Sequence, residues 1–175
     1  AWGLTAEKDP GEVFFKSNVN DTLKNLSFYD KLHNGFDYYT AHLQLSNMWY
    51  IKTLVLGDYI AQFGQGLTLC SGMSYGKSSM AVNIKKRGQG IRKYASTDEN
   101  LFMRGAATSL RIKNFDISGF YSRKKIDANI SLLEDISEEV LEVSSILLTG
   151  YHTTPGEVSD KDAIRETVYG GNVSY

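Results

Sequence analysis

The stretch AATSLRIKNFDISGFY, residues 106–121, carries the clearest signal for the fold of this chain. Apolar and polar residues alternate in both of its halves, which is the period-two pattern of a β-strand with two unlike faces. The apolar set is Ala106, Leu110, Ile112, Phe115, Ile117 and Tyr121, and the polar set is Ser109, Arg111, Lys113, Asp116 and Ser118. Asn114 lies between the halves and suits a hairpin turn. The stretch therefore predicts an antiparallel hairpin.

The same alternation recurs in residues 36–45, 126–132 and 169–175. In residues 36–45 it places Tyr39, Ala41, Leu43 and Leu45 on one face and Tyr38, Thr40, His42 and Gln44 on the other. The predicted strands run to about 8 to 11 residues, close to the ~9 to 11 that a tilted strand needs to cross a bilayer. We therefore expect an all-β, mainly antiparallel fold, and specifically a partial transmembrane β-barrel.

Composition agrees with strands and tight turns. The 175 residues include 16 glycines, 11 tyrosines and 8 phenylalanines but only 2 prolines, and 42% of them are hydrophobic. The formal net charge of −1 provides no overall basic field for nucleic acid. A single cysteine, Cys70, excludes an intrachain disulfide and a multi-cysteine zinc site.

One or two short helices interrupt the predicted strands. Thr154, Pro155 and Glu157 form a capping box with proline at the first helical position, which predicts a short helix over 155–166. Residues 133–148 fit either a helix or a strand, and residues 16–34 predict an exposed loop. Because both ends look cut from a longer chain, residues 1–175 are expected to be a single fragment of a larger β-barrel domain.

Six short motifs occur in a recognisable order. They are Leu56-Gly-Asp-Tyr59, Phe63-Gly-Gln-Gly-Leu67, Ser96-Thr-Asp-Glu99, Phe102-Met-Arg-Gly-Ala106, Phe120-Tyr-Ser-Arg-Lys-Lys125 and Thr149-Gly-Tyr-His-Thr-Thr-Pro-Gly-Glu157. From about residue 36 onward the series resembles the C-terminal β-barrel region of bacteroidete outer-membrane proteins that carry an N-terminal ComEA-like helix-hairpin-helix segment.

This resemblance implies a non-enzymatic barrel in the bacterial outer membrane that serves as a transporter, a pore or an envelope scaffold. It also implies a signal peptide and helix-hairpin-helix units on the N-terminal side of the barrel region. The expected partners are outer-membrane lipid, the remaining strands of the parent chain and an envelope protein. Nucleic acid is expected only through that N-terminal region or through the loop 85–93, and no cofactor is expected.

Glycines are concentrated among apolar residues between positions 57 and 76, where they predict either bends at barrel corners or an inward fold that narrows the lumen. A carboxylate of Asp98 or Glu99 paired with Arg104 would be tolerated in a polar lumen. The candidates for the lumen or its constriction are Asp58, Gly64, Gln65, Gly66, Glu99 and Arg104.

Two near-identical tripeptides, Gly64-Gln-Gly66 and Gly88-Gln-Gly90, form a second candidate region. Five cations flank the second tripeptide and could hold an anion, with Tyr94 available for stacking; they are Lys85, Lys86, Arg87, Arg92 and Lys93. A solvated loop is the plainer interpretation. If the cations do bind an anion, the alternative function is a soluble β-rich module that binds nucleic acid or another polyanion.

Residues 72–76, Gly-Met-Ser-Tyr-Gly, match the nucleophile elbow of serine hydrolases, and Asp98 or Glu99 and then His152 follow in the required order. An elbow needs a strand, a sharp turn and a helix, whereas residues 77–84 show no helix start. We therefore expect no catalysis by Ser74. The three histidines have no metal-site spacing, so no metal is expected either.

The sidedness of the strands separates the hypotheses. A barrel exposes apolar faces to lipid and turns polar faces inward, whereas a soluble sandwich does the reverse. The barrel hypothesis places the following residues in the lumen: Thr40, His42, Gln44, Ser109, Arg111, Lys113, Asp127 and Asn129.

Overall fold

The computed structural model describes residues 1–8, 11, 14–15, 34–36, 38–72, 88–135, 138–148, 150 and 152–175. Within these ranges the elements are β1 (Trp2–Glu7), β2 (Tyr38–Met48), β3 (Ile51–Gln62), β4 (Gly90–Lys93), β5 (Met103–Ile112), β6 (Phe115–Ile126), β7 (Ala128–Asp135), β8 (Glu138–Ile146), α1 (Pro155–Asp160) and β9 (Ile164–Ser174). The prediction of a mainly antiparallel all-β chain with a short helix is confirmed.

The first of two compact units comprises Ala1–Thr5, Thr40–Lys124 and Thr167–Tyr175. Its main sheet has the strand order β1-β2-β3-β5-β6-β9, and β4 pairs with β3 outside this path. One face of the sheet carries the core of this unit, formed by Val55, Tyr59, Ala61, Ile91, Met103 and Ala107.

Two tight hairpins join the central strands. The predicted hairpin is confirmed, with Ala106 opposite Tyr121 at one end and Ile112 opposite Phe115 beside the turn. In that turn Lys113 takes a positive φ of 54°, and Trp49 does the same at 57° in the turn between β2 and β3. Positive φ at a two-residue connection matches the right-handed twist of the flanking strands.

Two paired glycines lie where β3 and β5 closely approach the backbones of their neighbouring strands. Gly57 and Gly105 are register partners and have φ values of +93° and +153°. A Cβ atom at either position would overlap a backbone carbonyl oxygen, that of Ala41 beside Gly57 and that of Tyr121 beside Gly105. Only glycine permits both the backbone conformation and the close approach. Of this pair, Gly57 belongs to the glycine-rich stretch for which bends were predicted.

Beyond Gly57, strand β3 pairs with β4. Tyr59 pairs with Lys93 of β4 and also with Met103 of β5, and a strand residue has one neighbour on each side. Strand β5 pairs with one side of β3 along its length. Strand β4 therefore pairs with the other side, which β2 occupies up to Gly57. The chain thus pairs with the sheet again at β4.

The second unit comprises Ala6–Tyr39 and Lys125–Glu166. Its antiparallel pair β7-β8 identifies most of the ambiguous residues 133–148 as strand. Helix α1 begins at Pro155 as predicted but ends at Asp160, not at 166, because Lys161 has extended backbone angles and Asp162 a φ of +55°. Of the predicted loop 16–34, residues 16–33 lie outside the described residues. In the described part of the chain, no helix is long and apolar enough to cross a membrane.

Candidate functional site

One face of the main sheet exposes a continuous row of apolar side chains. Leu43, Leu56, Ala106 and Tyr121 are successive register partners on β2, β3, β5 and β6. The three large side chains in this row, those of Leu43, Leu56 and Tyr121, are 41%, 44% and 46% exposed. The row crosses the middle of four strands, where a soluble sheet would carry polar residues if this face met water.

More apolar side chains extend this exposed face toward both edges of the sheet: Trp2, Leu4, Ile112, Phe115, Ile117, Tyr169, Val173 and Tyr175. Aromatic residues gather at the end that carries the tight hairpins. Trp49 stacks on Tyr50 with ring centroids 5.5 Å apart, and Phe115 contacts Tyr175 at 5.2 Å. We call this surface, including the row above, the apolar face.

The opposite face of the same strands is buried, and it carries polar side chains beside the apolar core of this unit. Thr40, His42, Ser109, Ser118 and Ser122 are each at most 7% exposed. The hydroxyl groups of Ser109 and Ser118, which are register partners, hydrogen-bond to each other. The exposed side of the period-two pattern is therefore apolar, and its buried side is mixed, with these polar residues next to the apolar core.

The residues predicted for the lumen have different surroundings. Thr40, His42 and Ser109 lie on the buried polar face, and the Gln44 side chain accepts a hydrogen bond from the Lys93 backbone N–H at 3.0 Å. Arg111 lies at the hairpin end and Lys113 in the turn itself. Asp127 and Asn129 belong to the second unit, where Asn129 is exposed and pairs with Ser145.

Two of the buried polar side chains have unpaired atoms. Within the described residues, the Thr40 hydroxyl and both ring nitrogens of His42 have no hydrogen-bond partner. The imidazole ring lies against Gly3 of β1, where a Cβ would come within 2.6 Å of the His42 Cε1. Buried groups of this kind are costly unless water or a ligand reaches them.

The two Gly-Gln-Gly tripeptides come together. The Gly88 backbone N–H donates to the Gly64 carbonyl at 2.9 Å. A Cβ on Gly88 would lie 2.8 Å from the Gln62 carbonyl oxygen and 3.0 Å from the Gly64 nitrogen, so a larger residue does not fit without a shift. We call residues 64–66 and 88–90 the docked turns. Their similarity is visible in the sequence, but no sequence signal predicts their contact.

The segment that follows β3 packs onto the buried side of the sheet. The Phe63 ring stacks on Phe120 at 6.0 Å, and Leu69 joins the same core. Ser71 secures the segment, because its hydroxyl accepts a hydrogen bond from the Ala61 backbone N–H at 2.7 Å. The segment that follows β3 therefore lies on the buried side of the sheet.

A polar groove of about 340 Å³ lies between the docked turns and the strands. Its polar lining includes Lys52, Gln62, Gln89, Ser109, Asp116, Ser118, Asn172 and Ser174. A second cavity, of about 630 Å³, lies between the segment after β3 and strand β9 and has Phe63, Leu69, Phe120, Val168 and Tyr169 in its lining. Phe63, Gly64 and Asn172 line both spaces.

Two cations share one carboxylate at the groove. Asp116 accepts from the Lys52 ammonium at 2.6 Å and from Arg111 Nε and Nη2 at 2.8 and 3.0 Å. The predicted hairpin places Arg111 opposite Asp116, so the sequence already indicated this ion pair. Asp116 was nevertheless not among the candidate residues. Lys52 comes from another hairpin and could not be assigned from local pattern.

Arg104 forms an ion pair with Asp58, which was not among the partners predicted for it. Its Nε and Nη2 donate to the two oxygens of Asp58 at 2.7 and 3.1 Å, and Asp58 also accepts from the Ala41 backbone N–H at 3.0 Å. Asp98, one of the two predicted partners, caps its own turn by accepting from the backbone N–H groups of Asn100 and Leu101. The other, Glu99, is half-buried in the loop before β5.

The expected anion site is described only in part. Lys85, Lys86 and Arg87 lie outside the described residues, as does Ser74 of the nucleophile-elbow motif. Arg92 and Lys93 are exposed on β4. Tyr94 is not available for stacking on a base, because it is 6% exposed, stacks on Phe102 at 5.2 Å and donates its hydroxyl to the Asp98 carbonyl.

The second unit contains a hydrogen-bonded pair of a buried histidine and a half-buried carboxylate. His152 Nε2 donates to Asp127 Oδ2 at 2.9 Å, and the Asp162 backbone N–H donates to Asp127 Oδ1 at 2.8 Å. Burial acts to raise the pKa of Asp127, but the hydrogen bonds from His152 and Asp162 outweigh it and hold the pKa below its usual range. This pair connects the start of β7 to the region around α1.

No family model, curated protein or solved structure matches the chain. The two faces of the sheet, and the segment packed against one of them, are therefore the features from which a function is inferred.

Proposed function

We propose that the main sheet forms part of the wall of an outer-membrane β-barrel, with the apolar face in contact with lipid. The observation that carries this proposal is the exposed row formed by Leu43, Leu56, Ala106 and Tyr121, set against buried polar residues on the other side. Lipid-facing apolar residues that alternate with lumen-facing polar ones are the pattern of transmembrane barrels.

Energetics support lipid as the occupant of this face. Each large apolar side chain left in water forgoes about 1.5–3 kcal/mol that burial would provide. The apolar face keeps many such side chains exposed across adjacent strands, far beyond the scattered apolar residues of an ordinary surface. Contact with acyl chains removes this cost without changing the sheet.

The lengths of the strands and the aromatic residues at their hairpin end also agree with strands that cross a bilayer. Strands β2, β3, β5, β6 and β9 contain 11, 12, 10, 12 and 11 residues, against the ~9 to 11 required of a tilted membrane strand. The aromatic cluster at the hairpin end, formed by Trp49, Tyr50, Phe115 and Tyr175, corresponds to the interfacial girdle of such barrels.

A wet lumen would account for the unpaired polar atoms on the buried face, beside the apolar core. Water in a barrel interior would satisfy the His42 nitrogens and the Thr40 hydroxyl, which lack partners in the described part of the chain. Strands β1 and β9 end the hydrogen-bonded path, so further strands of the parent chain would complete the wall. The proposed role is non-enzymatic: transport, a pore, or a scaffold for an envelope protein partner.

The test is to locate the full-length protein by membrane fractionation and then examine its mobility on gels with and without heating. Recovery in the outer-membrane fraction with a heat-dependent mobility shift is expected, because a closed barrel resists detergent until it is heated. Recovery of the protein in the soluble fraction, with no heat-dependent shift, would contradict the proposal.

A further inference from the structure

The docked turns are held against the buried face by contacts that leave little freedom. Their contact is made by backbone atoms of Gly64 and Gly88, which cannot move aside as a flexible side chain does. Phe63, directly before the first turn, is anchored by its stack on Phe120. A segment seated in this way on the lumen side of a barrel wall narrows the lumen permanently.

The space that remains beside the docked turns is small and polar. Hydroxyl and amide groups of Ser109, Ser118, Asn172 and Ser174 contribute to the lining of the groove of about 340 Å³. Such groups both donate and accept hydrogen bonds, so they replace part of the hydration shell of a polar solute. The volume excludes large solutes.

The charges at the groove favour one sign. Lys52 and Asp116 line the groove, and Arg111, which is outside its lining, pairs with the same carboxylate, so this cluster of three carries one positive charge in excess. The Lys52 and Arg111 side chains are 42% and 59% exposed, so both are in contact with solvent, Lys52 within the groove and Arg111 next to it. Charged side chains at a narrow point of a pore set which ions enter it.

From these observations we infer that the docked turns form a constriction which passes small anions and small neutral polar solutes in preference to cations. The inference rests on the proposed barrel function and adds to it a solute class and the residues that select it. Lys52 and Arg111 are the selectivity-determining residues, and Gly88 is the residue that positions the constriction.

Charge selection is tested by reversal potentials of the full-length protein in planar bilayers under a KCl gradient. We expect the wild-type protein to favour chloride over potassium by roughly threefold to fivefold. The double variant Lys52→Gln/Arg111→Gln leaves Asp116 alone and should remove or reverse this preference, whereas Asp116→Asn should increase it. Lys113→Gln removes a cation from the adjacent hairpin turn that forms no ion pair with Asp116 among the described residues, and it should change nothing.

Size selection is tested by swelling of liposomes that contain the protein, with neutral sugars of increasing size as solutes. Gly88→Val should undock the turns and raise the swelling rate for the larger sugars by several-fold, because pore diameter limits their passage. Gly156→Ala is the matched control, because a Cβ there meets no atom within 4 Å. Heat-dependent gel mobility confirms that each variant has folded before its permeability is compared.

The outcomes separate the two proposals. A full-length protein that does not enter the outer membrane contradicts the proposed function. A heat-modifiable barrel that does not conduct, that favours potassium, or whose selectivity is unchanged in Lys52→Gln/Arg111→Gln overturns the inference alone. If Gly88→Val does not fold, the reversal potentials of the charge variants still decide it.

Discussion

At the scale of single residues, the pair formed by Asp58 and Arg104 is asymmetric. Asp58 is 2% exposed, whereas Arg104 is 46% exposed and also lies over the Phe102 ring at 5.0 Å. The carboxylate is the member that depends on its partner, because a buried charge without compensation is far more costly than an exposed one. The two possible single substitutions should therefore differ in effect.

We expect Arg104→Gln to destabilise the protein by about 3–5 kcal/mol, because it leaves the Asp58 carboxylate buried without its cation. Asp58→Asn keeps a side-chain oxygen for the Ala41 N–H and should cost less, about 1–3 kcal/mol. Urea unfolding of the two variants in detergent micelles measures the difference. Equal losses would show that the burial of Asp58 does not govern this pair.

The Asp127–His152 pair predicts a dependence of stability on pH. The pKa of Asp127 in the folded chain lies below its usual range, so its contribution is complete above the unfolded pKa of about 4 and disappears as pH falls through the folded value. Asp127→Asn should destabilise the chain most near neutral pH and least in acid. Unfolding midpoints compared with those of Asp160→Asn check this, and a loss independent of pH would contradict it.

At the scale of elements, local pattern predicted the strands well and one helix boundary poorly. The β5-β6 hairpin was predictable because alternation and turn residues are both local signals. The end of α1 was not, because it depends on a long-range hydrogen bond in which the Asp162 N–H donates to Asp127, 35 residues away. The pairing of Arg104 with Asp58 likewise depends on strand register, which no single segment reveals.

The capping box of α1 predicts a measurable local effect. The Thr154 hydroxyl accepts from the Glu157 N–H at 3.3 Å, and Glu157 accepts in return from the Thr154 N–H at 2.9 Å. Thr154→Ala should cost about 1 kcal/mol and speed hydrogen exchange at Glu157 and Val158. Thr153→Ala retains the capping oxygen and should have a smaller effect; an equal effect would show that the cap contributes little.

At the scale of the whole molecule, the apolar face makes a prediction that no single strand makes. Leu56 lies at the centre of the exposed row, far from both strand ends. If this row faces lipid, Leu56→Arg places a charge near the middle of the bilayer and should cost about 2–4 kcal/mol. The measurement is the fraction of protein that folds into lipid vesicles.

Thr97→Arg is the control, because Thr97 is exposed in the loop before β5 and its substitution adds the same charge. It should fold into vesicles as efficiently as the unsubstituted protein. If Leu56→Arg folds equally well, the apolar face does not meet lipid. A surface that faces water would accept arginine without loss, since single surface substitutions away from special features change stability by about 0.5 kcal/mol or less.

The strands, their two unlike faces and the capped start of the helix follow from the amino-acid sequence alone, because side-chain alternation and capping act between residues a few positions apart. Three features could be determined only from the tertiary structure. They are which face is exposed, which cation pairs with which carboxylate, and the contact between two Gly-Gln-Gly turns 24 residues apart in the sequence. Period two is the same whichever face is buried, and partners on different strands are chosen by register. These long-range choices created the groove on which the proposed selectivity depends.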